Sequence, residues 1–454
     1  MIQFDSYQYI EHWENPNETE VSWLGLLFSI LHQAALSFDR EEDKPSPSRT
    51  SEYRQRTVQC LLAANYTDPQ LYTIETLILH IYAEWMSSQD SSTEVSLLLA
   101  IVIRLAMRMG MHRDSRAYES VKPFRGEMRR RVWAIIRTMD IICSFQLSLP
   151  ATIHPSGSRC ALPRNIFNDE FYRDVKELPP PRPLSEVTEI SCTIIKTRLT
   201  LELGKILAFA EFENDPSSED ISKYEQSLDE VKRMIPETLN VSFTREPTEV
   251  PASLYRQRID LDRLYQASRC VLHRKSLSQA RHDPSKLQHR GNCVDAAMAL
   301  LAHQATLHLD LDTSYPQNIR NRHIYTLTTY DFFTAAMAVA LDLHYGFETE
   351  PFTPSPSDAS LWGYDRRNEM ITALETSSEF CRISKDESVE AAHAYGILSV
   401  IVAKARKAQW IIEEQQVRGR SQISDSDMDI LMPEFGTDFQ RSGPRFRLGT
   451  GRQF

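Results

Sequence analysis

The chain has 454 residues, of which 41% are hydrophobic and 25% charged, and its formal net charge is -11. This length permits a sizeable core, and the acidity excludes DNA binding by bulk electrostatics, so DNA contact would need a local basic module. Seven scattered cysteines without a C-x2-C pair exclude a disulfide framework and a zinc cluster within these residues, and they favour reduced intracellular thiols.

The chain is expected to be helical throughout its folded part. Only 14 glycines accompany 23 prolines, and Leu, Ala, Ile, Met and Glu are frequent, which favours helix over sheet. The first residues lack the basic and apolar regions of a signal peptide, and the apolar runs are too short or too interrupted to span a bilayer. Trp23 to Phe38 and Tyr53 to Ala64 are predicted helices, separated by a charged, Pro/Ser-rich surface loop at 39–51.

Residues 97 to 163 contain the most unusual residues in the chain. The first predicted helix has an apolar stripe at helical spacing, formed by Leu98, Ile101, Val102, Leu105 and Met109. Arg104 and Arg108 are four residues apart and share another face. Gly110 is the expected C-terminal stop, because glycine adopts the left-handed cap conformation without steric cost.

A second helix is predicted to start near Gly126 and to be ended by Pro150. Its apolar positions exceed one face, which predicts a central helix; they are Met128, Val132, Trp133, Ile135, Ile136, Met139, Ile142 and Phe145. Asp140 lies inside this apolar helix, and a buried carboxylate needs a partner. Arg104 and Arg108 are the first candidates, with Arg137 also near. A structural ion pair is the simpler interpretation, and a catalytic or ligand-binding carboxylate is the alternative.

The order of these residues resembles the middle regulatory region of fungal zinc-cluster transcription factors. The matching positions are Ala106, Arg108, Gly110, His112, Arg113, Asp114, Glu127, Arg129, Arg130, Arg131, Trp133, Asp140, Pro150, Leu162, Pro163 and Asn165. One position departs from the pattern, since many members have glycine two residues before the proline and this chain has Ser148. Leu272, His273 and Arg274 match a later family helix, although Lys275 and Ser276 replace its usual Pro-Phe. The resemblance covers roughly residues 9 to 410.

The resemblance implies an all-α, multi-helix regulatory domain of packed antiparallel helix pairs. We expect this domain to occupy residues 1–416, truncated at its N-terminus, and a disordered tail to occupy 417–454. The tail is first acidic and apolar, as activation-type segments are, and then basic. No cofactor is expected in this chain, because the family's zinc belongs to an N-terminal cluster that these residues lack. The implied role is nuclear (or nucleo-cytoplasmic) transcription regulation without enzymatic activity.

Partners follow from the same resemblance. We expect a protein partner or a small-molecule effector, no membrane, and a possible homo- or heterodimer. DNA would be reached only through a missing N-terminal module or a partner. Two alternatives stay open: a stand-alone interaction protein that inhibits related factors, and a helical pocket recruited as an enzyme or ligand binder in fungal secondary metabolism.

Residues 177 to 412 are predicted to form one proline-rich segment and several further helices. The proline-rich segment 177–185 is either a recognition segment or, as favoured, a linker, because a lone PPxP pattern is often found by chance. A long helix is predicted from Ser185 to about Phe212. Core helices are predicted at Cys293 to Leu301 and Tyr330 to Leu343, and a last long helix at Val389 to Ile412.

Three groups of residues were candidates for chemistry. His112, Arg113 and Asp114 could form an acid/base set, but capping and ion pairing are favoured, because neighbouring residues in a turn do not face one another. The run Arg129 to Arg131 is either a phosphate or DNA contact or, as favoured, a solvated helix start with pairs to Glu127 or Asp140. Cys270 and His273 have ligand-like spacing, but no second ligand pair is evident.

Overall fold

Polar N-caps and apolar stripes divide the chain into successive helices. The computed structural model describes residues 6–37, 46–117, 121–154, 157–212, 216–241, 251–312, 322–348 and 362–418. Within these ranges every regular element is an α-helix or a short 3-10 helix, which confirms the predicted all-α class. Ser46, Ser92 and Ser217 each accept a hydrogen bond from the backbone N–H three residues later, so each caps the helix that follows.

The α-helices are numbered here in chain order. They are α1 (Ser6–Glu14), α2 (Val21–Ser37), α3 (Pro47–Ala63), α4 (Thr73–Ser87), α5 (Thr93–Arg108), α6 (Pro123–Gln146), α7 (Ser191–Phe212), α8 (Ser218–Arg233), α9 (Ala252–His273), α10 (Ser276–Gln279), α11 (Leu287–Asp312), α12 (Arg322–Glu348), α13 (Tyr364–Ser384) and α14 (Val389–Arg418). The predicted helices at 293–301, 330–343 and 389–412 lie inside α11, α12 and α14, which confirms them.

Two hydrophobic clusters form the core. The first lies mainly among α4, α5, α6, α7 and α8, and the second among α10, α11, α12, α13 and α14. Helix α9 contributes to both, since Leu261 and Leu264 belong to the first cluster and Ile259 and Ala267 to the second. Helix α9 is therefore the shared wall between the two halves of the core.

The buried face of α5 is rotated from the predicted face. Its fully buried side chains are Val95, Leu99, Val102, Ile103 and Ala106. Only Val102 belongs to the predicted stripe, and Ile101 of that stripe is 42% exposed. Residues 97–103 are all apolar, so periodicity does not select a face there. The packing partners select it instead: Leu98, Leu105 and Met109 of the predicted stripe are partly buried against the first cluster, and the prediction was wrong for Ile101.

Helix α6 is central, as predicted. Its residues from Asp140 to Gln146 are all buried, and Trp133 and Ile136 are 1% and 0% exposed. The helix begins at Pro123 rather than near Gly126, because proline at the first helical position lacks only an N–H that would be unpaired there anyway. The C-terminal part of α6 is therefore enclosed by the rest of the domain.

The end of α6 is set by Ser148 rather than by Pro150, so the prediction that proline ends this helix was wrong. Ser148 has a φ of 53°, in the left-handed region. The N–H of Leu149 donates to the carbonyl of Ser144 at 2.8 Å, and the N–H of Ser148 donates to the carbonyl of Phe145 at 3.1 Å. These two bonds form a Schellman cap, which closes the helix two residues before the proline.

Replacing Ser148 by glycine is expected to stabilise the domain by about 0.5–1 kcal/mol, because glycine adopts this conformation without the Cβ contact that strains serine. The hydroxyl of Ser148 lies 3.3 Å from that of Tyr330 at an exposed position, so losing this bond offsets only part of the gain. Chemical denaturation measures the change. The matched control is Gly110→Ala, because Gly110 occupies the same cap position of α5 with a φ of 75°.

The control is expected to destabilise the domain by about 1–2 kcal/mol, the cost of a Cβ in the left-handed region. A Ser148→Gly chain that unfolds more easily than the parent would show that the cap is not strained. The predicted stop of α5 at Gly110 is confirmed, since this glycine has a positive φ.

Two further predictions concern membrane spans and the C-terminal tail. None of the described helices is both long and apolar enough to cross a bilayer. The predicted tail at 417–454 lies outside the described residues beyond Arg418, so the boundary at 416 stays a prediction.

Candidate functional site

The family-motif residues meet where the turn after α5 reaches the first turns of α6. Four of them form a group that we call the turn cluster: Asp114, Glu127, Arg130 and Arg131. Their side chains are 17%, 0%, 4% and 1% exposed, respectively. The alternatives of a solvated helix start and of a DNA contact are therefore wrong for Arg130 and Arg131, whose guanidinium groups do not face solvent.

Asp114 joins the turn to α6 and to the loop after α6. Its Oδ1 accepts hydrogen bonds from Nη2 of Arg130 at 2.9 Å and from Nε of Arg116 at 3.0 Å. Its Oδ2 accepts the backbone N–H of Ala161 at 3.3 Å. Burial acts to raise the pKa of Asp114, but the hydrogen bonds from Arg130 and Arg116 outweigh it and hold that pKa well below its usual range. The carboxylate stays ionised, and the ion-pair role predicted for it is confirmed.

Glu127 is the most deeply buried carboxylate of the turn cluster. Its Oε1 accepts the backbone N–H of Arg164 at 2.9 Å and lies 3.6 Å from Nε of Arg131, while its Oε2 accepts Nη1 of Arg130 at 3.4 Å. Burial raises the pKa of Glu127, and the Arg164 N–H together with the two guanidinium groups limits the rise. The predicted pairing of the arginine run with Glu127 is thus confirmed for Arg130 and Arg131.

Other side chains of α6 hold the same loop. Arg131 donates to Oδ1 of Asn168 at 3.0 Å, and its guanidinium carbon lies 4.4 Å from the ring centroid of Phe171, a cation–π contact. The indole N–H of Trp133 donates to Oγ of Ser158 at 2.8 Å. One face of α6 is therefore a scaffold for residues 157–171.

His112 and Arg113 do not form an acid/base set with Asp114. The backbone carbonyl of His112 accepts the N–H groups of Arg159 at 2.9 Å and Cys160 at 3.1 Å, so this residue acts through its main chain. Its ring lies 6.3 Å from that of Trp133, and Arg113 is exposed. The structure therefore favours the structural interpretation of this tripeptide.

Asp140 is held by backbone groups, and the prediction of an arginine partner was wrong. Its Oδ1 accepts the N–H of Thr152 at 3.0 Å and its Oδ2 accepts the N–H of Ile153 at 2.8 Å. Burial raises the pKa of Asp140, and the hydrogen bonds from Ile153 and Thr152 limit the rise. This carboxylate anchors the loop that follows α6.

The arginines expected at Asp140 lie elsewhere. Arg104 is exposed on α5. Arg108 lies 3.1 Å from Oδ1 of Asp68 and donates to the carbonyl of Thr67 at 3.1 Å. The side chains of Arg108 and Asp68 are 64% and 69% exposed, so this pair contributes only about 0–1 kcal/mol. The two arginines share a face, as predicted, but that face is solvated.

Asn165 has a structural role that sequence reasoning missed. It is 4% exposed, its Nδ2 donates to two backbone carbonyls at 2.9 Å, and its Oδ1 accepts two hydroxyls at 2.7 Å. The partners are Pro183, Glu186, Thr188 and Ser191. The segment 177–185 is thus bound to the domain, so its interpretation as a linker was wrong, and α7 starts at Ser191 rather than at Ser185. In the sequence, only the position of Asn165 in the family motif pointed to this residue.

This arrangement suits stabilisation more than catalysis. Each carboxylate of the turn cluster is already bonded to guanidinium or backbone N–H groups, and Asp140 to two N–H groups. A groove of about 200 Å³ between α1 and the start of α2 is lined by Glu11, His12, Glu20 and Trp23, among others. Pockets for drug-sized ligands usually measure about 300–1,000 Å³, so this groove is small for an effector.

Comparison with known proteins adds direct evidence. The model of the fungal specific transcription factor domain matches residues 2–238. The Zn(2)-C6 fungal-type transcription factor pigI of Monascus ruber is 30% identical over 443 residues, covering 96% of this chain and 54% of that protein. The transcription factor mpsB of Macrophomina phaseolina is 31% identical over 406 residues, with 88% and 55% covered. The equisetin cluster transcription factor eqxF of Fusarium heterosporum is 28% identical over 414 residues, with 87% and 58% covered.

The fold and the turn cluster define an all-α domain whose central helix is fixed by buried ion pairs. The chain belongs to the family of the fungal specific transcription factor domain, which confirms the resemblance drawn from residues 97–165. No solved structure matches it. The chain spans about half the length of the curated relatives it matches, since it covers 54% and 55% of the first two.

Proposed function

We propose that this chain is the regulatory part of a transcription regulator that controls genes of fungal secondary metabolism. The main support is that two proteins named as transcription factors align with 96% and 87% of this chain. These alignments extend into the residues beyond 238, where the match to the family model ends. Three relatives are named for the pyrrolocin, equisetin and fusarisetin A clusters, which supports the class of target genes. The proposed site of action is the nucleus.

The proposed mechanism is sensing by the helical domain, coupled to transcriptional output. The net charge of -11 and the absence of a C-x2-C pair from the 454 residues indicate that DNA contact comes from another module or a partner. The buried ion pairs of the turn cluster suit a domain that keeps one conformation while binding a protein or a small effector. We propose no catalytic role, which agrees with the relatives being transcription factors.

A reporter experiment tests this proposal. The full chain is fused to a heterologous DNA-binding domain in a fungal host whose reporter carries the matching operator. We expect reporter expression to change several-fold relative to the DNA-binding domain alone. An unchanged reporter, with the fusion protein present in the nucleus, would contradict a role in transcriptional output.

The DNA-binding part of the proposal is tested separately with the purified chain and promoter fragments of a secondary-metabolite cluster. We expect only weak, salt-sensitive binding without sequence preference. Tight, sequence-specific binding by the chain alone would show that it carries its own DNA-binding module. If the fusion is inactive but the chain lowers the output of an intact zinc-cluster factor, the inhibitor alternative is the correct one.

A further inference from the structure

Three potential metal ligands meet where α8, α9 and α11 come together. Glu225, His273 and His289 each offer a ligand atom, and these atoms all lie within 4.8 Å of one another. His273 is 0% exposed and His289 is 7% exposed, while the side chain of Glu225 is 22% exposed. The group therefore lies at the inner end of a partly open site.

The spacing is close to that of a tetrahedral metal site. Zinc lies about 2.0–2.2 Å from histidine nitrogen and carboxylate oxygen, which places tetrahedral ligand atoms about 3.3–3.5 Å apart. Nε2 of His273 is already 3.3 Å from Oε1 of Glu225. The third ligand atom lies within 4.8 Å, so it needs to move by only about 1–1.5 Å, which a small side-chain rotation supplies.

The two imidazole rings are chemically suited to this role. Their ring centroids lie 5.3 Å apart with an interplanar angle of 17°, and a ring rotation is needed before both in-plane nitrogen lone pairs point at one ion. Nδ1 of His289 is buried without a hydrogen-bond partner, while Nε2 is the nitrogen of His273 that faces Glu225. Neutral imidazole is the form that binds metals.

Neighbouring residues orient the carboxylate. Asn292 donates to Oε1 of Glu225 at 3.1 Å, as an outer-shell partner of a metal ligand does. Nη2 of Arg269 lies 3.6 Å from the same oxygen. Its positive charge opposes a cation, so an ion bound here has to compete with this ion pair.

We propose that Glu225, His273 and His289 bind a divalent transition-metal ion of the zinc class, with a fourth position left for water. Two imidazoles and one carboxylate form a donor set that zinc accepts. Because α8 belongs to the first core cluster and α11 to the second, the ion fastens the two halves of the core across α9. The inference is independent of the transcriptional proposal. The Cys270/His273 spacing did not reveal this site, since the other ligands come from α8 and α11.

A zinc titration of the metal-stripped full chain tests the site by calorimetry and thermal denaturation. We expect one Zn²⁺ per chain and a higher Tm with the metal. His273→Gln and His289→Gln should each weaken binding by more than about 100-fold, since losing even an outer-shell partner costs about 10–100-fold. The matched control is His393→Gln, because His393 is exposed on α14 and its loss should change nothing.

Cobalt distinguishes this site from adventitious binding by the seven cysteines. We expect visible bands of Co²⁺ with nitrogen and oxygen ligands, without an intense thiolate charge-transfer band. A thiolate band, a wild-type chain that binds no Zn²⁺, or unchanged affinity in both histidine variants would overturn the proposal. Circular dichroism of the metal-free variants confirms folding, and Glu225→Gln replaces any histidine variant that does not fold.

Discussion

Replacing Arg130 by methionine is expected to destabilise the domain by about 3–5 kcal/mol, the usual cost of removing one partner of a buried ion pair. Arg130 is 4% exposed and lies between Asp114 and Glu127, at 2.9 Å and 3.4 Å. Methionine preserves much of the side-chain volume but leaves Glu127, which is 0% exposed, with less compensation. The change should also loosen the turn after α5, because Asp114 loses its contact with α6.

Chemical denaturation of the purified chain measures the effect on the free energy of unfolding. Arg125→Met is the matched control, since Arg125 is an exposed arginine one turn earlier in α6, and its loss should change stability by less than about 0.5 kcal/mol. If both variants unfold at the same denaturant concentration as the parent, the turn cluster does not stabilise the domain.

The second large effect is expected in the other half of the core. Asp342→Ala should destabilise the domain by about 3–5 kcal/mol, because it leaves the buried guanidinium of Arg290 without its carboxylate. Both side chains are 1% exposed, and Nε of Arg290 lies 2.5 Å from Oδ1 of Asp342. Trp362 also loses the acceptor of its indole N–H, now 3.1 Å away.

Asp295→Ala isolates the effect of burial. Oδ1 of Asp295 also lies 2.5 Å from an arginine, Nη2 of Arg366, but these side chains are 56% and 32% exposed. Solvent screens this pair, so its loss should cost only about 0–1 kcal/mol. Equal losses of unfolding free energy for Asp342→Ala and Asp295→Ala would show that burial does not set the strength of these pairs.

Local features of the fold could be predicted from sequence, because they depend on residues close together in the chain. The stop at Gly110 followed from the conformational freedom of glycine, and a φ of 75° bears it out. The central position of α6 followed from apolar residues that extend beyond one face of the helix. The same property limited the prediction for α5, where Ile101 of the predicted stripe is exposed, since a helix that is apolar on several faces does not reveal which one is most deeply buried.

Partners of charged groups could not be predicted in the same way. Asp140 was expected to need a cation, but backbone N–H groups of Thr152 and Ile153 satisfy it, and every non-proline residue carries such a donor. A donor that is present at nearly every position leaves no sequence signal. Asn165 shows the same limit, because its partners are mostly main-chain carbonyls and short hydroxyls.

The sequence by itself determined the helical class, the approximate position of most helices and the family, because helix periodicity and motif order are written along the chain. Only the tertiary structure decided which face of α5 is buried, that Arg130 and Arg131 are internal, and that Glu225, His273 and His289 converge. Those features depend on contacts between segments far apart in sequence, such as that between Glu127 and Arg164, which are 37 positions apart. Which of these segments meet is decided by the loops that pack against α6 and by α9, which contributes to both halves of the core.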